Sequence, residues 1–168
     1  MGVFLKENVG AGTPLLNVCC SSRESQLRNH FPIEQIADLP PIALSHAIQV
    51  DAHHVCIDPA ELFKDDLTKN DDDKNVLMAI NYLNHHCDPS AWFCKGTFIL
   101  EARRDLLKGD EITFDYATVD HAPALLDMPC ACDYKYCRKH IIGSLANSKD
   151  AALQYEMHVS KYILSLLC

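Results

Sequence analysis

Short apolar runs separated by glycine and proline predict a chain built mainly from β-strands. Residues 2–18 read GVFLKENVGAGTPLLNV, in which two apolar runs flank a turn at Gly10 and Gly12. Residues 47–59, AIQVDAHHVCIDP, have the pattern of a hairpin that turns near residues 52–53. Both patterns are typical of small antiparallel sheets, because each strand is only a few residues long.

The most β-rich part of the chain is residues 91–117. It contains two apolar runs on either side of Lys108-Gly109-Asp110, a strong turn signal. Side chains alternate between the two faces of a strand, so the last run is expected to place Phe114 and Tyr116 on one face. Thr113 and Asp115 then share the other face.

Helical patterns are short until the end of the chain. Pro32, Pro40 and Pro41 permit only short helical pieces in residues 23–47. Residues 64–75 read as an acidic loop, and residues 75–84 as a short helical or buried segment. From Ser148, a plausible N-cap, the spacing predicts one helix whose apolar face would consist of Tyr155, Val159, Tyr162, Ile163 and Leu166.

Length and composition indicate one compact domain, because 48% of the 168 residues are hydrophobic. No apolar run long enough for a membrane span and no signal-peptide pattern are present, so we expect a soluble, intracellular protein, nuclear or cytoplasmic, with no membrane partner. The formal charge of −8 argues against a direct grip on nucleic acid and permits a basic partner such as a lysine-rich peptide.

The nine cysteines point to metal binding, catalysis or simple burial rather than to a disulfide framework. Cys130, Cys132 and Cys137 form a C-x-C-x4-C cluster, which could bring three thiolates to one tetrahedral Zn²⁺. A structural zinc site needs a fourth ligand. By spacing alone, His140 is the local candidate and Cys87 the distant one, and both remain open.

The stretch NHHCDPS, residues 84–90, concentrates polar groups in a short segment. Asn84 offers donors and an acceptor, and His85 offers a planar ring with an N–H. Either side chain could instead satisfy backbone groups of an irregular loop, just as Tyr116 could be an ordinary packed aromatic. Taken alone, these residues do not define a site.

Four segments together resemble a known family. GVFLKENVGAGTPLL is similar to an opening Gly-Val-Phe strand and its turn, NYLNHHCDPS to RFINHSC-PN, GDEITFDYA to GEELTFDY, and CACDYKYCRKHIIG to C-x-C-x4-C-R-G-x-I. They occur in the expected order and span nearly the whole chain. In this pattern the chain resembles a SET-domain protein-lysine methyltransferase with a post-SET zinc segment.

The resemblance implies a fold and its boundaries. The fold class would be mainly β with short helices, made of small β-sheets with a pseudoknot at the cofactor site, plus a C-terminal helix. The SET domain would cover residues 1–117, with a variable insert at 23–75. The post-SET zinc segment would cover residues 128–144, and the C-terminal helix residues 148–168.

The resemblance also implies residue roles. Asn84 and His85 would bind S-adenosylmethionine, Tyr116 would be the catalytic tyrosine, and Phe114 would tune the number of methyl groups added toward di- or trimethylation. Gly2, Val3 and Phe4 would line the same cofactor pocket. The implied ligands of a structural zinc ion are Cys87, Cys130, Cys132 and Cys137.

The implied function is transfer of a methyl group from S-adenosylmethionine to a lysine side chain of a protein or peptide, with histone tails among the candidate substrates. The alternative is a catalytically inactive, zinc-stabilised SET-fold module for protein interaction. Asn84, His85 and Tyr116 favour the enzyme. The absence of the family's first glycine before Gly2, together with the bulky His86, favours the module.

Overall fold

The structure is a computed structural model, and it describes residues 2–17, 30–38, 47–57, 82–120, 126–143 and 154–167. Short strands dominate these residues, as predicted. None of the described helices is long and apolar enough to cross a membrane. The strands are β1 (Val3–Phe4), β2 (Pro14–Asn17), β3 (His30–Pro32), β4 (Ile48–Gln49), β5 (His54–Cys56), β6 (Asn84–His85), β7 (Ala91–Phe93), β8 (Ile99–Ala102), β9 (Glu111–Phe114), β10 (Asp127–Pro129) and β11 (His140–Ile142). Within the described ranges, the helical elements of more than one residue are the 3-10 helices Ile33–Asp38 and Tyr116–Thr118 and the α-helix α1 (Lys161–Leu167).

The sheet that matters most for function has the strand order β1-β9-β6. β1 runs antiparallel to β9, and β6 runs parallel to it. Along β9, Ile112 and Phe114 are buried while Glu111 and Thr113 are only partly buried, the alternation expected of a strand with one face on the core. The sheet therefore brings the start of the chain close to residues 84–85.

A second sheet, β2-β8-β7, contributes Ala91, Phe93 and Leu100 to the main core cluster. β7 and β8 form a hairpin whose turn contains Gly96 at a positive φ of 67°. Phe93 and Leu100 are fully buried, and each stabilises the fold by roughly 1.5–3 kcal/mol on burial. Phe93 packs edge-on against Phe114 of the first sheet, so the two sheets share one core.

The third sheet, β3-β5-β4, confirms the predicted hairpin in residues 47–59. Its turn is shaped by Asp51, whose Oδ1 accepts the backbone N–H groups of His53 and His54 at 2.7 and 2.8 Å. The 3-10 helix Ile33–Asp38 agrees with the short helical pieces expected here. Residues 64–75 and most of the predicted segment 75–84 lie outside the described residues.

The prediction that Phe114 and Tyr116 share a face of one strand is wrong in detail. β9 ends at Phe114, and Tyr116 begins a 3-10 helix. The strand stops because the Asp115 side chain accepts the N–H of Ala117 at 3.1 Å and caps that helix. The Phe114 and Tyr116 rings nevertheless pack together, with centroids 4.9 Å apart.

The predicted helix over residues 148–168 is not continuous. Glu156 and Met157 have positive φ values of 50° and 65°, which a right-handed helix cannot accommodate. The described helix starts at Lys161, and Ser160 rather than Ser148 caps it, accepting the Ile163 N–H at 3.3 Å. Ser148 itself lies outside the described residues.

The buried residues among those predicted to form one apolar face of that helix are divided between two clusters. Tyr155 packs with Ala117 in one cluster, whereas Val159, Tyr162 and Ile163 form another. Leu166 is 42% exposed. Tyr155 and Val159 therefore have helical spacing in the sequence but do not lie in the described helix, which begins at Lys161.

Candidate active site and metal centre

Gly2, Asn84 and Glu111 come together across the β1-β9-β6 sheet. Asn84 Nδ2 donates a hydrogen bond to Glu111 Oε1 at 2.6 Å. A Cβ atom added to Gly2 would lie 2.1 Å from the same oxygen and 3.2 Å from Asn84 Nδ2, so a larger residue there would displace the Glu111 carboxylate from its bond to Asn84. Val3 and Phe4 follow in β1, paired with Ile112 and Glu111.

Sequence reasoning missed Glu111. The available signal was strand alternation, which puts Glu111 on the face of β9 opposite the apolar Ile112 and Phe114. The register of β9 against β1 and β6 was needed to show that this carboxylate reaches Asn84 and Gly2.

The His85 ring is buried between the Tyr116 backbone and Cys87. Its side chain is 4% exposed, and Nδ1 accepts the Tyr116 N–H at 3.2 Å. Burial lowers the pKa of His85 to about 4, although Asp115 acts in the opposite direction, so the ring is neutral at pH 7. With Nδ1 accepting, the ring proton is on Nε2, which lies 3.5 Å from Cys87 Sγ.

The peptide groups of His85 face away from β9. The N–H of His86 donates to the Phe114 carbonyl at 3.2 Å, so the main-chain N–H of His86 is directed toward β9. Successive residues of a strand direct their N–H and C=O groups to opposite edges, which leaves those of His85 at the outer edge of β6. Both ring nitrogens already have partners, and the His85 N–H donates to the Tyr116 hydroxyl, so the C=O is the group that His85 can offer to a ligand.

Tyr116 is a partly buried phenol with an engaged hydroxyl. Its O–H donates to the Leu83 carbonyl at 2.6 Å. Burial, and then the nearby Asp120 carboxyl, raise the pKa of Tyr116 to about 12. The hydroxyl therefore keeps its proton at neutral pH, and Tyr116 cannot act as a general base there.

An ion pair joins the turn at Asp115 and Tyr116 to the cysteine-rich segment that contains Cys130, Cys132 and Cys137. Asp115 is 1% exposed, and Arg138 Nη2 donates to its Oδ1 at 2.5 Å. Arg138 directly follows Cys137, so the ion pair ties the segment to the residue before Tyr116. Burial disfavours the Arg138 charge, but Asp115 more than compensates and raises the pKa of the guanidinium.

His86 also fits the site, despite its size. Its Nε2 lies 3.0 Å from Asp133 Oδ1, and its ring tilts over Tyr134. Asp133 and Tyr134 both belong to the cysteine-rich segment. The His86 ring thus adds a contact between that segment and the NHHCDPS stretch.

The fold brings four cysteine sulfurs together. The Sγ atoms of Cys87, Cys130, Cys132 and Cys137 all lie within 4.8 Å of one another. Cys130 Sγ is 3.8 Å from Cys87 Sγ and 3.6 Å from Cys137 Sγ. A tetrahedral zinc ion with Zn–S bonds of about 2.3 Å requires S···S separations of about 3.8 Å, so this set fits zinc.

The electrostatics of the cluster favour a cation. Burial, reinforced by contact with the neighbouring thiols, raises the pKa of Cys130 to about 12, while the pKa of Cys132, despite burial, is lowered to about 6 by hydrogen bonds from backbone N–H groups and neighbouring thiols. Four adjacent thiols cannot all become thiolates unless a positive ion balances their charge. A divalent metal supplies that charge.

Of the two candidates for the fourth ligand, the structure brings Cys87 to the cluster and leaves His140 elsewhere. The His140 ring is 52% exposed on β11, and its Nε2 lies 2.6 Å from Asp127 Oδ1. Pro129 pairs with His140 and Asp127 with Ile142 along the β10–β11 ladder. His140 therefore belongs to the outer surface of that ladder.

Comparison with known proteins supplies one match. The model of the SET domain family matches residues 1–117, well over half of the chain. The matched region contains β1 to β9 and the start of the 3-10 helix at Tyr116, and it ends before Cys130 and before α1. A search of curated proteins finds no match.

Proposed function

Because the chain belongs to the SET-domain family, we propose that it transfers a methyl group from S-adenosylmethionine to the side-chain amine of a protein lysine. The observation that carries this proposal is the β1-β9-β6 sheet, which joins Gly2, Asn84 and His85 beside Tyr116. These are the residues whose motifs resemble the cofactor and catalytic segments of the family.

The cofactor would lie at the outer edge of β6. The C=O of His85 could accept a hydrogen bond from the amino group of an adenine ring, whereas its N–H donates to the Tyr116 hydroxyl. Glycine at position 2 leaves the Glu111 carboxylate on Asn84, because a side chain there would displace that carboxylate. When bound, S-adenosylmethionine supplies an activated methyl on a positively charged sulfur.

Methyl transfer requires a neutral lysine, although a free lysine has a pKa of about 10.4. An apolar channel lowers that pKa by desolvation, and a nearby sulfonium charge acts in the same direction. The packed rings of Phe114 and Tyr116 provide an apolar wall for such a channel. Since Tyr116 keeps its own proton, the lysine proton must leave to solvent rather than to this phenol.

The proposed role of Tyr116 is to orient the amine. Its hydroxyl donates its proton to the Leu83 carbonyl, so the oxygen lone pairs can accept an N–H of the incoming lysine. Such orientation converts an encounter into an in-line reaction geometry. Phe114 has no hydroxyl to hold the amine in one orientation, which favours repeated transfer and thus di- or trimethyl products.

Zinc is proposed as a structural component. Four cysteine ligands leave no open coordination position, so the ion would fix residues 128–144 as a post-SET segment. Through the Nε2–H of His85 on Cys87 and through Arg138 on Asp115, the metal centre supports both sides of the Tyr116 turn.

The substrate class proposed is a basic, lysine-containing protein segment such as a histone tail. The formal charge of −8 is complementary to such a segment. Labelled methyl transfer to core histones and to a whole-cell lysate, with mass spectrometry of the labelled protein, tests this choice and identifies the modified lysine.

A second candidate function is a zinc-stabilised interaction module without turnover. The observation in its favour is the internal use of both ring nitrogens of His85. Calorimetry of the zinc-loaded protein with S-adenosylmethionine separates the two. Saturable binding supports the enzyme, whereas no binding by a folded, zinc-loaded sample favours the module.

A further inference from the structure

The C-terminal segment, residues 154–160, docks firmly although it lies outside the match to the family model. The His158 ring stacks on Trp92 with centroids 3.8 Å apart and planes at 11°. Its Nδ1 lies 2.9 Å from the Phe93 carbonyl oxygen. Val159 is completely buried. The segment is therefore part of the core that supports β7.

This segment also forms hydrogen bonds on both sides of Tyr116. The Tyr155 hydroxyl donates to Asp115 Oδ2 at 2.5 Å in a buried bond. The Ser160 N–H donates to the Thr118 carbonyl at 2.9 Å. The residue before Tyr116 and the end of its 3-10 helix are thus both attached to the same segment.

Asp115 is the point where these contacts meet. Its Oδ1 accepts from Arg138 and from the Ala117 N–H that caps the turn, while its Oδ2 accepts from Tyr155. Each oxygen is thereby held by a different part of the chain. A charge-assisted bond to a buried carboxylate is among the stronger hydrogen bonds in proteins.

The surroundings allow Asp115 to move if that bond is lost. A cavity of about 370 Å³ is lined by Asp115, Arg138 and Tyr155. Without the Tyr155 hydroxyl, Asp115 Oδ2 can turn toward this space and toward water. That rotation also weakens the cap on Ala117, and with it the orientation of the Tyr116 ring.

We propose that Tyr155 is a positioning residue for Tyr116, acting through Asp115, so that the C-terminal segment is a working part of the active site. The kinetic half of this inference rests on the proposed methyl transfer. The structural half, that Tyr155 holds the turn, is independent of turnover.

Tyr155→Phe tests the proposal by removing one hydroxyl. We expect kcat for methyl transfer to fall by about tenfold to a hundredfold, as for a small misplacement of a reacting group, with KM for S-adenosylmethionine and for the peptide unchanged. Hydrogen exchange of peptides covering residues 113–119 should become faster. Emission of Trp92, the single tryptophan, should stay unchanged because His158 remains stacked on it.

The matched control is Tyr162→Phe, which also removes one tyrosine hydroxyl. Tyr162 lies in helix α1, where its ring packs with Val159 and Ile163 rather than with Asp115. It should alter neither kcat nor exchange in residues 113–119. Equal kcat for Tyr155→Phe and the wild type would overturn the kinetic role, and unchanged exchange would overturn the structural one.

Two further outcomes, an inactive wild type and an unfolded Tyr155→Phe variant, have their own tests. If the wild type transfers no methyl, the proposed function fails, and the exchange measurement alone decides whether Tyr155 holds the turn. If Tyr155→Phe does not fold, His158→Ala takes its place. It undocks the same segment at Trp92 and should shift Trp92 emission, speed exchange in residues 113–119 and lower kcat. Normal exchange with a shifted emission would contradict the proposal.

Discussion

Asp120 should make the protein less stable as the pH rises through neutrality, and Asp120→Asn should remove that loss. Asp120 is 8% exposed at the end of the Tyr116 turn, and its Oδ1 accepts the Gln49 N–H at 3.0 Å. Burial raises the pKa of this carboxyl from 3.8 to about 7, with the Gln49 bond acting in the opposite direction. Among the described residues, no cationic side chain forms an ion pair with it.

The sign follows from which state holds the proton. Between pH 3.8 and about 7 the unfolded chain has already released the Asp120 proton while the folded protein still holds it. The free energy of unfolding therefore falls as the pH rises in this window. The folded and unfolded pKa values of Asp120 differ by about three pH units, and each pH unit corresponds to about 1.4 kcal/mol. The free energy of unfolding therefore falls by about 4 kcal/mol once the pH exceeds the folded pKa.

The amide introduced by Asp120→Asn cannot ionise, and its side-chain oxygen can still accept the Gln49 N–H. We expect this variant to be more stable than the wild type by roughly 2–4 kcal/mol at pH 8, with the difference shrinking toward pH 5. Urea unfolding followed by Trp92 fluorescence and circular dichroism, with zinc present throughout, measures both curves. This amount is a large fraction of the total stability of a typical domain.

The control is Asp105→Asn, the same change at an exposed aspartate whose Oδ1 also accepts a backbone N–H, from Ala11 at 2.9 Å. If the difference between Asp120→Asn and the wild type is the same at pH 5 as at pH 8, burial does not hold the proton on Asp120 and the reasoning is wrong.

The remaining predictions concern the cofactor pocket, the metal and the product. Gly2→Ala should weaken S-adenosylmethionine binding by calorimetry, because its Cβ would displace the Glu111 carboxylate from its bond to Asn84. Gly10→Ala, whose Cβ would lie 3.8 Å from Asp105 Oδ1, should bind normally; equal affinities would contradict the packing argument. Cys87→Ser should lower the zinc content in elemental analysis and His140→Ala should not, and the reverse result would make the histidine the ligand. Phe114→Tyr should shift products toward monomethyl-lysine in mass spectra, and an unchanged distribution would remove Phe114 from that role.

The sequence predicted those features that depend on local pattern. The hairpin in residues 47–59 and the strands flanking Gly109 follow from turn residues and alternation, and both are confirmed. The resemblance to the SET domain rested on short motifs in a fixed order. It is confirmed by the family match, although the motifs could not show how the strands pair.

The sequence could not predict contacts between distant residues, nor local turns that carry no glycine or proline signal. Spacing left Cys87 and His140 equal as zinc ligands, because only the packed structure shows which one meets the other three sulfurs. The C-terminal helix is broken because Glu156 and Met157 adopt the left-handed backbone conformation. Neither residue is glycine, so nothing in the sequence indicated this break. Asp115 caps the turn at Tyr116 and ends the strand, so the alternation predicted for Phe114 and Tyr116 does not continue; the alternating pattern alone did not reveal this cap.

Methyl transfer itself is the most direct test of this account. Zinc-loaded protein is incubated with S-adenosylmethionine carrying a labelled methyl and with core histones, and Tyr116→Phe is assayed in parallel. We predict label on a lysine side chain with the wild type and little or none with the variant, since the orienting hydroxyl is gone. Label that persists undiminished in Tyr116→Phe, or no label from a folded, zinc-loaded wild type on histones or on a cell lysate, would contradict the account.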